Sequence, residues 1–307
     1  MSRDEERELQ TRHISAVITE TAIFSLVMIL SLFGNLLVCY AVNRNPRLRC
    51  PSNYYIISLA LTDILQASCS MPLLVAFLAS GEWSFGTATC SFVAITKLSL
   101  TKVSTFTMAL MALNRYYKIV KPAKYQTIFK PRFILITALL AWAIPFTLAF
   151  LSVFVLDQET KSGFAICIIR YHPPFILVIL AFMYAPYFVI GFCYWKIYKQ
   201  VKMHNANVSW QSSNVSDVNI SKTLFVTVIA FFSFLVPSHI IFTISKFAKK
   251  SQFPHYLFLV ATLLIFMTSC INPFIYGYMN RAFKTEFKKW LSPKRGQSVT
   301  TATIQEN

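Results

Sequence analysis

Charge is scarce in this chain of 307 residues. Only 13% are Asp, Glu, Lys or Arg, about half the share of an ordinary soluble domain. With 55% hydrophobic residues and a mean hydropathy of +0.53, this shortage excludes a soluble enzyme, a disordered chain and a small disulfide scaffold. Short alternating strands of about 10 residues, the signature of a membrane β-barrel, are not what carries the hydropathy. No nucleotide-binding loop, metal-ligand cluster or catalytic triad appears, so the chain does not read as an enzyme. The first twenty residues are charged and lack an apolar core, which predicts no cleavable signal peptide and makes the first hydrophobic block the insertion signal.

The hydrophobic residues fall into long blocks, and a bilayer core needs about 20 apolar residues per helical crossing. Seven blocks qualify: Thr21–Val42, Asn53–Ala79, Thr87–Leu113, Phe133–Leu156, Pro173–Trp195, Ser221–Ser245 and His255–Met279. The six loops between them share 86 residues, about 14 each, too few for a folded soluble domain. The predicted class is an all-α membrane protein: a tail over 1–20, a seven-helix domain over 21–279, a short amphipathic helix over 280–291 and a tail over 292–307. In that short segment Phe283, Phe287 and Trp290 recur at i, i+4 and i+7 between lysines, which places the helix on the membrane face.

Lys and Arg set the orientation. With the N-terminus outside, 19 of the 29 basic residues flank the inner side, 8 the outer side, and Lys97 and Lys102 lie within the third span. The chain therefore reads as a multi-pass plasma-membrane protein with an extracellular N-terminus and a cytoplasmic C-terminus. The inner collar accounts for most of the net charge of +17 and suits anionic inner-leaflet lipids. It flanks spans rather than forming one tract, so nucleic acid is not an expected partner. Sequons at Asn207, Asn214 and Asn219 fall on the inner side and are predicted to stay unglycosylated. Cys90 and Cys167 fall on the oxidising outer side and are expected to pair. Cys39, Cys50, Cys69, Cys193 and Cys270 are expected to be thiols.

Polar groups inside a bilayer are costly and mark function by default. Asp63 lies mid-span with Asn35, Ser104, Ser269 and Asn272 at similar depth. Two readings stay open: an oxygen cage for a small hard cation such as sodium, or a protonated Asp in a hydrogen-bonded core. Pro72, Pro145, Pro186, Pro237 and Pro273 sit mid-span and permit kinks, or are simply tolerated there.

Taken in order, one per span, a set of motifs resembles the rhodopsin-like (class A) G-protein-coupled receptors over roughly 26–291. They are Gly34-Asn35, Leu59-Ala-Leu-Thr-Asp63, Cys90, Asn114-Arg115-Tyr116 in place of Asp-Arg-Tyr, Trp142, Pro186 with Tyr194, Phe231 with Pro237, and Asn272-Pro273-Phe-Ile-Tyr276. The resemblance implies a ligand-activated receptor for a heterotrimeric G protein. Arg115 would meet the G protein when the sixth span swings out. Asp217 would latch Arg115 at rest, since Asn114 replaces the usual acid. Tyr194 and Tyr276 would be the pair that turns inward on activation, and Asp63, Ser104 and Ser269 would hold an allosteric sodium ion. Two positions depart from the family: Leu235 stands in place of its usual Trp, and Thr105 in place of Ile in the Pro–Ile–Phe triad. Asn-Arg-Tyr and the first three spans are weakly similar to melatonin receptors.

The ligand pocket implied by the family lies in the outer half of the bundle. Amine receptors of the family carry an Asp in the third span, and the matching position here is Lys97. An amine would meet a like charge, whereas an anionic, lipid-acid or acceptor-rich ligand, or a peptide C-terminus, would find a counter-charge. The alternative is a Lys that snorkels to the outer water. No acid is expected in the outer half of any span. Thr101, Tyr171, Ser238, His239 and Phe266 are further pocket candidates. Retinal is excluded as a cofactor, because Phe266 occupies the position of the opsin lysine. Ser292, Ser298, Thr300, Thr301 and Thr303 offer phosphorylation sites for arrestin, or form an ordinary polar tail. The competing functions are a receptor-like scaffold with high basal or weak signalling, and a seven-helix transporter. The transporter would need an inverted repeat and broken helices, and neither is visible.

Overall fold

A computed structural model of the chain describes residues 11–49, 53–154, 159–162, 167–170, 173–205, 212–247 and 255–291. Its elements run α1 (Ile14–Arg44), a 3-10 turn (Pro46–Leu48), α2 (Tyr54–Leu65), a π turn (Gln66–Ser70), α3 (Met71–Ser80), α4 (Gly86–Val120), α5 (Pro122–Ile128), α6 (Pro131–Phe154), β1 (Glu159–Ser162), β2 (Cys167–Arg170), α7 (Pro173–Asn205), α8 (Ser212–Phe247), α9 (His255–Met279) and α10 (Arg281–Leu291). The seven crossings are α1, α2 with α3, α4, α6, α7, α8 and α9, and α10 is the eighth helix. This is a seven-transmembrane bundle.

Several helices outrun the hydrophobic blocks that predict them. The first begins at Ile14 rather than Thr21 and so takes in Glu20, correcting the expectation of no acid in the outer half of a span. Glu20 pairs with Arg12, whose Nη2 donates to the Leu78 carbonyl at 2.9 Å. This clasp ties the start of α1 to the end of α3. The fifth crossing continues to Asn205 and the sixth starts at Ser212, well past Trp195 and Ser221. An apolar block ends where the membrane ends; a backbone helix stops only where its hydrogen bonding is interrupted. The loop after α6 contains an antiparallel hairpin, with Glu159 opposite Arg170 and Ser162 opposite Cys167. Two short strands thus qualify the all-α expectation, and both pack against α4.

Six of the crossings are long and apolar enough to span a membrane by composition alone. The third, α4, is the exception, because it runs through the bundle centre. Its buried face holds Lys97, Ser99, Lys102, Ser104, Thr107, Asn114 and Arg115, and a helix enclosed by protein need not satisfy lipid. Lipid-facing helices show the converse, with Leu177 and Phe188 each 77% exposed.

Of the five mid-span prolines, Pro145, Pro186, Pro237 and Pro273 lie inside continuous helices. Pro72 instead follows the π turn at the start of α3, where its missing N–H costs least. Side chains tie the crossings together: Trp142 Nε1 donates to Ser58 Oγ at 2.9 Å, and the Tyr55 and Thr137 hydroxyls meet at 2.8 Å. The eighth helix is seated by Phe283, fully buried and stacked on Tyr276 with centroids 5.6 Å apart. Its buried Glu286 accepts from Asn45 at 3.3 Å and Lys289 at 2.9 Å.

Candidate functional site

The polar residues form a column through the bundle, and Asp63 is its middle. It is 2% exposed, and its carboxylate accepts a hydrogen bond from Asn272 Nδ2 at 3.0 Å. Asn35 Nδ2 donates to the carbonyls of Ser31 at 2.8 Å and Ser269 at 2.9 Å, which joins the first span to the seventh. Thr62 donates to the Leu59 carbonyl at 2.6 Å and its hydroxyl meets Ser104 Oγ at 2.9 Å. These bonds gather the first, second, third and seventh spans around one buried acid.

A small cavity adjoins this group, lined by Thr62, Asp63, Gln66, Leu100, Thr101, Ser104, Phe231, Thr268 and Ser269. Seven of those nine side chains carry oxygen, the donor type that hard cations take. The predicted trio Asp63, Ser104 and Ser269 is brought together here. Thr101, a ligand-pocket candidate, also lines this cavity and donates to the Lys97 carbonyl at 2.8 Å. Gln66 and Thr268 were missed from the sequence. The signal for Gln66 was present: it is a polar intramembrane residue three positions after Asp63, one helical turn away.

Towards the end of the bundle that bears the eighth helix, Asn114 is 1% and Arg115 3% exposed. Tyr116 packs edge-on against Tyr117 at 5.3 Å and under Lys121 Nζ at 5.6 Å. Tyr194 is 8% and Tyr276 2% exposed, so both hydroxyls lie inside the bundle. Pro273 sits against Gly34, where a Cβ would come within 2.8 Å of the proline ring. The backbone at Asp217 lies in α8, but its side chain is outside the described residues.

Towards the opposite end, Lys97 is 7% exposed with Nζ 5.2 Å from the centre of the Phe242 ring. That contact gives the ammonium partial electrostatic compensation without neutralising it. His239 Nδ1 lies 2.9 Å from the Tyr187 hydroxyl. Ser238 is fully buried and gives its proton to the Leu235 carbonyl at 2.9 Å. Phe266 packs edge-on against Phe24 of α1, 6.1 Å away. Tyr171 lies outside the described residues. Cys90 is disulfide-bonded. The Cys167 side chain is outside the described residues, though β2 begins at that residue and packs on α4, which carries Cys90. Cys39, Cys69, Cys193 and Cys270 are thiols, and Cys50 is outside the described residues.

Residues 34–276 match the family model described as 7 transmembrane receptor (rhodopsin family). The chain is 28% identical over 283 residues to the histamine H2 receptor of Homo sapiens, covering 89% of this chain and 79% of that receptor. It is 27% identical, over the same shares, to the histamine H2 receptor of Canis lupus familiaris. It is 25% identical over 317 residues to the octopamine receptor beta-1R of Drosophila melanogaster, covering 91% of this chain and 62% of that one. These relatives are named for amines and lend nothing to the melatonin likeness.

Proposed function

The chain belongs to the rhodopsin family of seven-transmembrane receptors, and we propose that the extracellular ligand it answers is anionic or rich in hydrogen-bond acceptors. It is a G-protein-coupled receptor in the plasma membrane, and not an enzyme. Lys97 carries the ligand reading. Its ammonium is buried beside an aromatic ring, and the acid found at the same end of the first span, Glu20, is engaged with Arg12. A ligand carboxylate or phosphate supplies a counter-charge; an ammonium meets repulsion. The second reading is an amine, which the histamine and octopamine receptor relatives favour. A library of acids, lipids, peptides and amines, screened on wild type and Lys97→Ala with a G-protein readout, separates the two. An acidic agonist that loses at least tenfold in potency on Lys97→Ala supports the first. An amine agonist of undiminished potency on Lys97→Ala refutes it.

The N-terminus is outside and the Arg115 end is cytosolic, supported by the 19-to-8 split of basic residues. Arg115 contacts the G protein, Asp217 restrains Arg115 at rest, and Asn272-Pro273 with Tyr194 and Tyr276 relays movement between Asp63 and Arg115. A sodium ion fits the oxygen-lined cavity beside Asp63, held by Asp63, Ser104 and Ser269 with Thr62 adjacent; bound there it neutralises the carboxylate. Cys90 pairs with Cys167 and holds the hairpin over the pocket mouth. The basic face of α10 rests on anionic lipid, and the phosphorylated tail beyond it docks arrestin.

A further inference from the structure

Beside Arg115, the third and fifth spans share a patch of aromatic rings and lysines. Tyr116, on α4, and Phe192, on α7, meet with ring centroids 6.0 Å apart. Lys121 Nζ stands 5.6 Å from the centre of the Tyr116 ring. Lys196 Nζ stands 5.7 Å from that of Phe192 and 4.7 Å from that of Trp195. Two ammonium groups thus flank one aromatic floor built by two spans. Tyr116 is buried, whereas Phe192, Trp195 and Tyr198 are each half-exposed or more. Phe188, one turn before Phe192 on the same face of α7, is also exposed.

The direction in which these lysines lean bears on what they hold. A helical side chain lies over the turn that precedes it, and Lys196 accordingly covers Phe192, four residues earlier. Both spans run from outside inward in the proposed topology. Both ammonium groups are therefore drawn back toward the bilayer instead of snorkelling into the cytosol. They stand at the level of the exposed rings, and Trp and Tyr mark the headgroup layer of a membrane. The rings compensate a cation only in part. No acid lies along either stretch to complete it: residues 114–132 carry six Lys or Arg and residues 173–205 carry three, and neither range contains Asp or Glu.

We propose that this patch is a discrete binding site for a polyphosphoinositide of the cytoplasmic leaflet. One headgroup bearing several phosphates serves both lysines, a match that phosphatidylserine, with one net charge, does not offer. The acyl chains run into the bilayer along Phe192 and Phe188. Attraction of anionic lipid to the basic collar as a whole is diffuse and draws on every lysine alike. Here the aromatic floor fixes two of them, so these two count for more than the rest. Tyr116 directly follows Arg115, which sets the lipid beside the residue we assign to the G protein. The inference rests on the proposed orientation of the chain and is independent of the ligand's charge. Binding is measured on protein outside any bilayer, with both ends accessible. A reversed orientation, which glycosidase treatment reports, is thereby distinguished from a missing site.

Native mass spectrometry of the purified full-length receptor in detergent, titrated with phosphatidylinositol bisphosphate, decides it. One lipid should bind ahead of all others. Lys121→Gln and Lys196→Gln should each weaken that first binding by about fivefold. Lys121→Arg and Lys196→Arg, which keep both the charge and the contact with the rings, should retain it. The control is the double variant Lys130→Gln with Lys202→Gln, two exposed lysines of the same rim, which should leave the first binding nearly unchanged. An equal concentration of phosphatidylserine should not displace the lipid. Soluble inositol trisphosphate should bind at least about tenfold more weakly, because it has no chains to bury. Losses in the control equal to those in the glutamine variants would leave only the diffuse collar and refute the site. Displacement by phosphatidylserine would refute it too. Inositol trisphosphate binding as tightly as the lipid would make the ligand a free phosphate and overturn the membrane assignment.

Discussion

The Asp63 carboxylate accepts from Asn272 and faces a cavity of hydroxyl and amide oxygens, Ser269 among them. Buried charge needs compensation, and a small cation supplies it where no Lys or Arg reaches. Replacing potassium by sodium should therefore raise the thermal midpoint of the purified receptor, by the linkage between a bound ion and the folded state. Asp63→Asn should lose that response; an equal sodium shift in the variant would exclude the site. Asn114 leaves Arg115 without an acidic neighbour in its own helix turn, and Asp217 is the restraint we propose for it. Asp217→Ala should raise basal G-protein signalling by about 5- to 30-fold if the latch is worth one to two kcal/mol. Unchanged basal signalling at equal surface expression counts against it.

Helices meet closely where glycine allows. A methyl at Gly34 would stand 2.8 Å from Pro273 Cγ and 3.0 Å from its Cβ, and a proline ring cannot rotate away. Overpacking of this kind costs about 1–3 kcal/mol, so Gly34→Ala should lower the thermal midpoint by several degrees. Gly191, where an added methyl would meet nothing within 4 Å, is the control: Gly191→Ala should leave the midpoint unchanged or raise it, through helix propensity. The same contact sets the first span directly on the segment of the seventh that leads to Tyr276. The eighth helix is fastened in a similar way, by Phe287 against Gly277 and Phe283 on Tyr276.

On the scale of the whole receptor, topology makes a simple prediction. Asn207, Asn214 and Asn219 face the cytosol if the basic collar does, so glycosidase treatment should leave the mobility of the mature protein unchanged. A shift would reverse the orientation. The number and order of the crossings were legible in the sequence, because hydropathy is a running property of neighbouring residues and the bilayer imposes a length on it. The third span was legible in the same way despite Lys97 and Lys102, since seven blocks were visible when it was read among its neighbours. Asp63, Arg115 and the Asn272-Pro273 pair stood out because polar residues in apolar surroundings are conspicuous one at a time. Which of them meet was decided only by the tertiary structure. Gln66 and Thr101 line one cavity with Asp63. Ser238 spends its proton on its own helix, and Tyr187 finds His239 across 52 positions of chain. Contacts of this kind depend on how each helix is rotated about its axis. That rotation is set by the summed packing of all its neighbours, and no local stretch of sequence carries that sum.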